Sequence, residues 1–298
     1  MKKYELKEVA KGRGYYRIVA LRDFADVKAG DVGGFVESEH NLSHEGNCWI
    51  YDNAKVVEEA MVCQDAKVLD NAEVYGNATV YGNAKVVSKA KVYGNAAVYG
   101  NAMVVSKAKV YGNATVYGNA KVVSKAKVYG NAKVSRCATI TDNAQVFGDA
   151  LVTDYSCIGD WAKIHGRASI YNYVNIDEEA EVYGVALLED KVRVYGKAKV
   201  FDRARMSGTS VATGDAVIQS CLAKDAVITE PYIKAICINS TARPMTIYLD
   251  TEEVYKCNIG CQKEMTLEKL LKRIEEDGGM KGHRMKYVNA MKVAEYLL

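Results

Sequence analysis

The run Asn77-Ala78-Thr79-Val80-Tyr81-Gly82-Asn83-Ala84-Lys85-Val86-Val87-Ser88-Lys89-Ala90-Lys91-Val92-Tyr93-Gly94 decides the fold. A small residue recurs at every sixth position, as Ala78, Ala84 and Ala90, and two residues after each comes Val80, Val86 or Val92. Working outward, the register holds without a slip from Ala54 to Ala216. Of those 28 small positions 24 are Ala, and the others are Ser156, Val174, Val192 and Ser210. Two residues on, 25 of the 28 are Val or Ile, with Leu188, Met206 and Ala212 as the exceptions. Alternation of period two inside a repeat of six cannot be helical. Each hexad therefore reads as a short strand with Ala and Val turned inward, closed by a corner such as Gly82-Asn83. Gly and Asn suit that corner because they tolerate positive φ. The chain's 24 Gly against 2 Pro agree with strands joined by tight turns.

Two independent spacings make the coil three hexads long. The exceptions Ser156, Val174, Val192 and Ser210 lie 18 residues apart, and so do Val87-Ser88-Lys89, Val105-Ser106-Lys107 and Val123-Ser124-Lys125. The fold class is mainly β, a parallel β-helix of 18-residue coils. Residues 48–230 would form about nine coils, roughly 45 Å tall at the usual strand spacing. Ala and Val fill the interior, so it is a packed core and not a pore. Residues 1–47 read as a small N-terminal β cap, since a terminal coil otherwise exposes unpaired strand edges. Residues 231–298 read as a C-terminal α/β appendage. There Pro231 and Pro244 bracket an irregular connector, and Met245–Leu249 and Val254–Ile259 read as strands. Thr266 caps a helix ending near Gly278-Gly279 with Met265 and Leu270 as a hydrophobic staple, and a last helix runs from about His283 to Leu298.

Composition excludes several classes. The net charge of +3 is too near balance to point to a partner by itself. No run approaches the ~18 apolar residues of a membrane helix, and the opening Met1–Lys7 lacks the apolar stretch of a secretory signal. The 8 Cys fall without framework spacing, as expected in a reducing compartment, and the expected location is cytoplasmic. Cys257 and Cys261 form a C-x3-C pair with no matching second pair, and no metal or cofactor is expected.

The regularity sorts exposed residues into columns. One face carries Met61, Thr79, Ala97, Thr115, Leu151 and Leu187, interrupted by Lys133, with Cys63, Tyr81, Tyr99, Tyr117, Thr153 and Tyr171 as its second outward column. Thr79, Tyr81, Ala97, Tyr99, Thr115, Tyr117, Thr153 and Tyr171 make a nearly uncharged face. Such a face fits protein contact, self-association above all, although Tyr and Thr are also good strand residues that tolerate water. A second column, Tyr75, Tyr93, Tyr111, Tyr129, Phe147, His165, Tyr183 and Phe201, reads as a stacked ladder. Between Val74 and Thr141 there is no acidic residue against nine Lys and Arg136. Lys85, Lys89, Lys91, Lys107, Lys109, Lys121, Lys125 and Lys127 gather there into a basic ridge. The ridge either keeps an edge from aggregating or meets a polyanion, a nucleic-acid backbone or an acidic protein surface.

Catalytic signals are sparse. Neither Gly12-Arg13-Gly14 nor Gly30-Asp31-Val32-Gly33-Gly34 carries the Lys-Ser/Thr of a phosphate-binding loop. Of the 4 His only His165 falls within the hexads, too few for a three-histidine zinc site. His165 is the one candidate for a general base, and no loop interrupts the hexads to build a pocket around it.

The hexads resemble the left-handed hexapeptide-repeat β-helices of acyltransferases and γ-class carbonic anhydrases, and that resemblance implies the handedness and a trimeric habit. Tyr16-Arg17-Ile18-Val19-Ala20-Leu21-Arg22-Asp23-Phe24, Val27-Lys28-Ala29-Gly30-Asp31-Val32-Gly33-Gly34-Phe35-Val36-Glu37 and Asn41-Leu42-Ser43, followed by Tyr-Gly-Asn-Ala hexads, are similar to a family of phage- and prophage-encoded hexapeptide-repeat proteins. Gly260-Cys261 before Thr266-Leu267-Glu268 also resembles that family's tail. Members are often labelled acyltransferase-like or polymer-forming. With no catalytic site to assemble from these residues, the expectation is a non-enzymatic binding protein with a macromolecular partner, phage-derived as the resemblance implies. An inhibitor of a host defence system, of anti-CRISPR type, fits that origin and a preorganised surface. The alternatives are a self-assembling scaffold, as a dimer or trimer, and an acyltransferase using His165.

Overall fold

The computed structural model describes residues 2–9, 14–219, 222–224, 227–228, 234–238, 245–249, 254–259 and 262–276. It divides into two units, Met1–Trp161 and Ala162–Leu298.

The first unit opens with an antiparallel meander, β1 (Tyr4–Glu8), β2 (Tyr16–Ala20) and β3 (Val32–Val36). β3 then pairs in parallel with Lys55–Val56 through Phe35↔Lys55 and Val36↔Val56. It is thus both the last strand of the cap and the first rung of a three-sided solenoid. From there each hexad contributes a two-residue strand to one of three faces in turn. Face I runs Lys55–Val56, Glu73–Val74, Lys91–Val92, Lys109–Val110, Lys127–Val128 and Gln145–Val146. Face II runs Met61–Val62, Thr79–Val80, Ala97–Val98, Thr115–Val116, Lys133–Val134 and Leu151–Val152. Face III runs Trp49–Ile50, Lys67–Val68, Lys85–Val86, Met103–Val104, Lys121–Val122, Thr139–Ile140 and Cys157–Ile158. All pairings are parallel and, within these columns, 18 residues apart. The expected coil is therefore present.

The ladder bonds repeat with the coil. Lys85, Val87 and Lys89 amides donate to the carbonyls of Ala102, Val104 and Ser106 at 2.9, 2.9 and 2.7 Å. Every small hexad residue and its aliphatic partner in this unit has 0–1% exposure. At about 1.5–3 kcal/mol per fully buried Val, three such residues per coil make the core the main stabilising element. Cap side chains close the open end of that core: Trp49 packs edge-on to Tyr4 and Phe24, and Tyr4 donates from its hydroxyl to the Leu42 carbonyl at 2.6 Å. Lys3 is also fully buried, donating from Nζ to the Cys48 carbonyl at 3.0 Å. Desolvation holds its ammonium below the usual lysine range and pushes the neighbouring Cys48 thiol up.

The corner geometry decides which residues each position accepts. The second corner residue of nearly every hexad has positive φ, as at Gly100 (φ 71), Ser106 (φ 68) and Asp70 (φ 61). A Cβ there aims at the corner amide of the next coil; on Gly100 it would stand 2.9 Å from the Gly118 nitrogen. Gly avoids the approach. A side chain that reaches an acceptor to the amide uses it instead: the Gly76 amide donates to Glu58 Oε2 at 2.7 Å, Gly82 to Gln64 Oε1 at 2.8 Å and Ser88 to Asp70 Oδ2 at 3.1 Å.

In the second unit the same three-sided stacking runs through Lys163–Ile164, Ser169–Ile170 and Asn175–Ile176 and the rungs that follow. Its later coils tighten: Arg205 pairs with Leu222, Val211 with Val227 and Val217 with Lys234. Lys234–Ile238 is a strand, so the stretch between the two prolines is not wholly irregular as expected. An antiparallel meander then runs through Met245–Leu249, Tyr255–Ile259 and Gln262–Thr266. The helix α1 (Leu267–Glu276) follows, with the Lys269 amide donating to Thr266 Oγ1 at 3.3 Å and Met265 and Leu270 buried, as the sequence predicts. The expected helix from His283 lies outside the described residues. So does Cys261; its neighbour Cys257 is buried, and burial pushes its thiol up to about 12.

Candidate interaction surfaces

Face II of the first unit differs from the other two. Outward residues Met61, Thr79, Ala97 and Thr115 are in register and uncharged, whereas face I presents Lys55, Glu73, Lys91, Lys109 and Lys127 in the equivalent column. Beside that column Tyr81, Tyr99 and Tyr117 stack with centroids 4.7 and 5.1 Å apart and planes within 8°. The face is bordered by an amide ladder: Asn77 Nδ2 donates to Asn95 Oδ1, Asn95 to Asn113 and Asn113 to Asn131, each at 3.0 Å, and Asn131 to Asp149 at 2.8 Å. Asn101 donates to Asn119 along the opposite border at 3.0 Å. Stacked rings and paired amides leave these side chains one arrangement, so the face is rigid and preorganised.

One expected member of the face is turned in. Thr153 is 6% exposed, accepting from Ser135 Oγ at 2.9 Å, because two short hydroxyl side chains 18 residues apart pair with each other and fold against the sheet. Tyr171 belongs to the second unit, half-buried beside Ser169–Ile170. Conversely, Tyr155 and Trp161 stand 59% and 61% exposed at corners of the first unit where Asn is the common residue. Their departure from the Gly-Asn pattern was the signal that could have marked them.

The second aromatic ladder, Tyr75, Tyr93, Tyr111, Tyr129 and Phe147, stacks at 4.8–4.9 Å with planes within 3°. Burial pushes the phenols of Tyr93, Tyr111 and Tyr129 up. Each interior ring has both faces against its neighbours, which closes the ladder to base stacking along its length.

The basic ridge wraps the corner from face III to face I. Lys85 and Lys121 lie on face III, Lys89, Lys107 and Lys125 at the corner, and Lys91, Lys109 and Lys127 on face I. Lys91 is committed to Glu73 Oε2 at 2.6 Å, which raises its pKa; the corner lysines are exposed.

In the second unit His165 is half-buried. Its Nε2 lies 3.0 Å from Glu181 Oε1, and its ring stacks on Tyr183 at 5.0 Å, with Tyr183 on Phe201 at 4.8 Å. A carboxylate on one imidazole nitrogen fixes the orientation of the ring, as a base-orienting group would. Among the described residues no cluster of His, Cys, Asp and Glu could hold a metal ion.

The molecule is a hexapeptide-repeat β-solenoid. Within it, residues 72–86 and 108–122 match the family described as the YdcK beta solenoid repeat. The chain is similar to the protein named "Uncharacterized acetyltransferase YdcK" from Escherichia coli (strain K12), 41% identical over 63 residues, 17% of this chain. The match spans 19% of that relative's length.

Proposed function

We propose that the protein is a non-enzymatic binding protein that presents face II to a protein partner, a second copy of itself in the first instance, as a dimer or trimer in the bacterial cytoplasm. The observation that carries this reading is the uncharged, in-register surface of Thr79, Ala97 and Thr115 beside the stacked Tyr81, Tyr99 and Tyr117. Interface centres are depleted of charge and enriched in aromatic residues, and a preordered surface loses little side-chain entropy on binding. Its narrower form, an inhibitor of a host defence system, rests on the phage origin that the family resemblance implies and on the preordered surface. The test is the mass in solution of a variant carrying Tyr81→Glu, Tyr99→Glu and Tyr117→Glu, by light scattering. Under this reading the native oligomer falls to a monomer; a variant that keeps the oligomeric mass rules face II out as the self-interface.

A second reading, an acetyltransferase using His165 as base, is favoured by the His165–Glu181 pair and by the name of the E. coli relative. Acetyl-CoA would be its cofactor. Calorimetry distinguishes the two: heat of acetyl-CoA binding supports the enzyme, and its absence removes it.

A further inference from the structure

The corner between faces III and I holds a pattern beyond its lysines. Reading its second and third residues up the first unit gives Asp52-Asn53, Asp70-Asn71, then Ser88-Lys89, Ser106-Lys107, Ser124-Lys125, then Asp142-Asn143. The first of each pair has positive φ throughout, from 51° to 68°. The backbone is thus constant while three rungs change chemistry together.

Where the corner is Asp, the carboxylate is positioned to close the next coil's amide: Asp70 N donates to Asp52 Oδ2 at 3.3 Å and Ser88 N to Asp70 Oδ2 at 3.1 Å. Where it is Ser, the hydroxyl is too short for that role, and among the described residues no protein acceptor lies on the amides of Ser106 and Ser124. The same substitution removes the negative charge, and Asn beside it becomes exposed Lys. An acceptor is withdrawn and a cation added at each of the three rungs, and the amides of Ser106 and Ser124 are opened.

From this coincidence the geometry points to an anion-binding ladder, made of the Ser106 and Ser124 amides, the Ser88, Ser106 and Ser124 hydroxyls and the Lys89, Lys107 and Lys125 ammonium groups, that takes the phosphate backbone of a nucleic acid. Backbone amides at left-handed turns are recurrent anion donors, and Lys binds phosphate as a point charge. Three rungs at ~4.8 Å span about 10 Å, the axial length of about three phosphates on one duplex strand. A nucleic acid fits better than an acidic protein surface because the edge is a straight row of Lys with no aromatic or Arg anchor, the residues that protein interfaces favour. Closure of the tyrosine ladder leaves backbone contact without base stacking, hence no sequence preference.

The flanking coils supply variants that the corner already tolerates. Ser106→Asp with Lys107→Asn and Ser124→Asp with Lys125→Asn rewrites two rungs as the Asp-Asn pairs on either side. Fluorescence anisotropy would use a labelled oligothymidine and a labelled random-sequence duplex over a salt series. The native protein should bind both, with log K falling against log[salt] at a slope of about −2 to −3. The rewritten protein should melt as the native one does and bind about tenfold more weakly or worse, with a shallower slope. Lys133→Asn, on face II, should stay within about twofold of native. The inference is overturned if the native protein binds neither probe, if the rewritten edge binds as well as the native, if Lys133→Asn is equally damaging, or if polyglutamate binds more tightly than either oligonucleotide.

Discussion

Gly100 and Asp70 occupy the same left-handed corner position with opposite requirements. At Asp70 the approach of successive coils is an opportunity, because its carboxylate meets the Ser88 amide. At Gly100 the next coil's Gly118 amide sits where a methyl group would go, and a methyl cannot accept a hydrogen bond. Gly100→Ala is therefore expected to lower stability by about 1–3 kcal/mol, from left-handed strain and close approach together. Denaturant titration measures it, and an unchanged midpoint would show that the corner relaxes freely. Corner positions were legible in the sequence as Gly-Asn and Ser-Lys pairs. What was not legible is that an Asp corner binds the amide above it while a Ser corner leaves it open, since that depends on the height of one coil over the next. The burial of Thr153 was hidden for a similar reason: alternation places it outward, and only its pairing with Ser135 turns it in.

At the scale of elements, α1 and the strands before it show where pattern suffices. Thr266, Met265 and Leu270 carry a capping and staple signature of local origin, and the helix starts where they place it. Thr266→Ala should cost about 1 kcal/mol, read as faster hydrogen exchange at the amides of the first turn of α1; unchanged exchange would mean that strand packing alone fixes the helix start. Gln262–Thr266 escaped the sequence because Gln-Lys-Glu-Met-Thr has little strand preference; it is a strand because Tyr255–Ile259 offers it an edge. Lys234–Ile238 escaped because prolines flank it, although neither lies within it, where proline would remove a ladder bond. Its parallel pairing with Val217–Gln219 is a long-range fact that no local window contains.

At the scale of the whole molecule, the repeat makes stability close to a sum of coils and their nearest-neighbour contacts. Deleting residues 90–107 joins Lys89 to Ala108 with every column in phase, Tyr75 over Tyr111 and Lys91 replaced by Lys109 beside Glu73. The shortened protein should keep the circular dichroism spectrum and a cooperative melt, and its oligonucleotide salt slope should fall by about one. Loss of the cooperative melt would mean that the coils are not interchangeable. The solenoid itself was legible almost completely, because one period fixes inside, outside and coil length together. The functional surfaces were legible as columns but not as contacts: the lysines could be counted, whereas the commitment of Lys91 to Glu73 and the closure of the tyrosine rings required the geometry.

The burial of Ala and Val at all three faces has a consequence for how the chain finds its alignment. A shift of six residues would carry every inward hexad position onto another inward position, so the core cannot tell one face from the next. Only a shift of eighteen also restores the Asn rows, the Tyr rows and the Ser-Lys edge. Phase is therefore encoded on the surface, the reverse of an ordinary sheet, where the buried side sets it. Whole coils can be gained or lost as a change of length alone, while a single hexad more or less would turn all that follows onto another face.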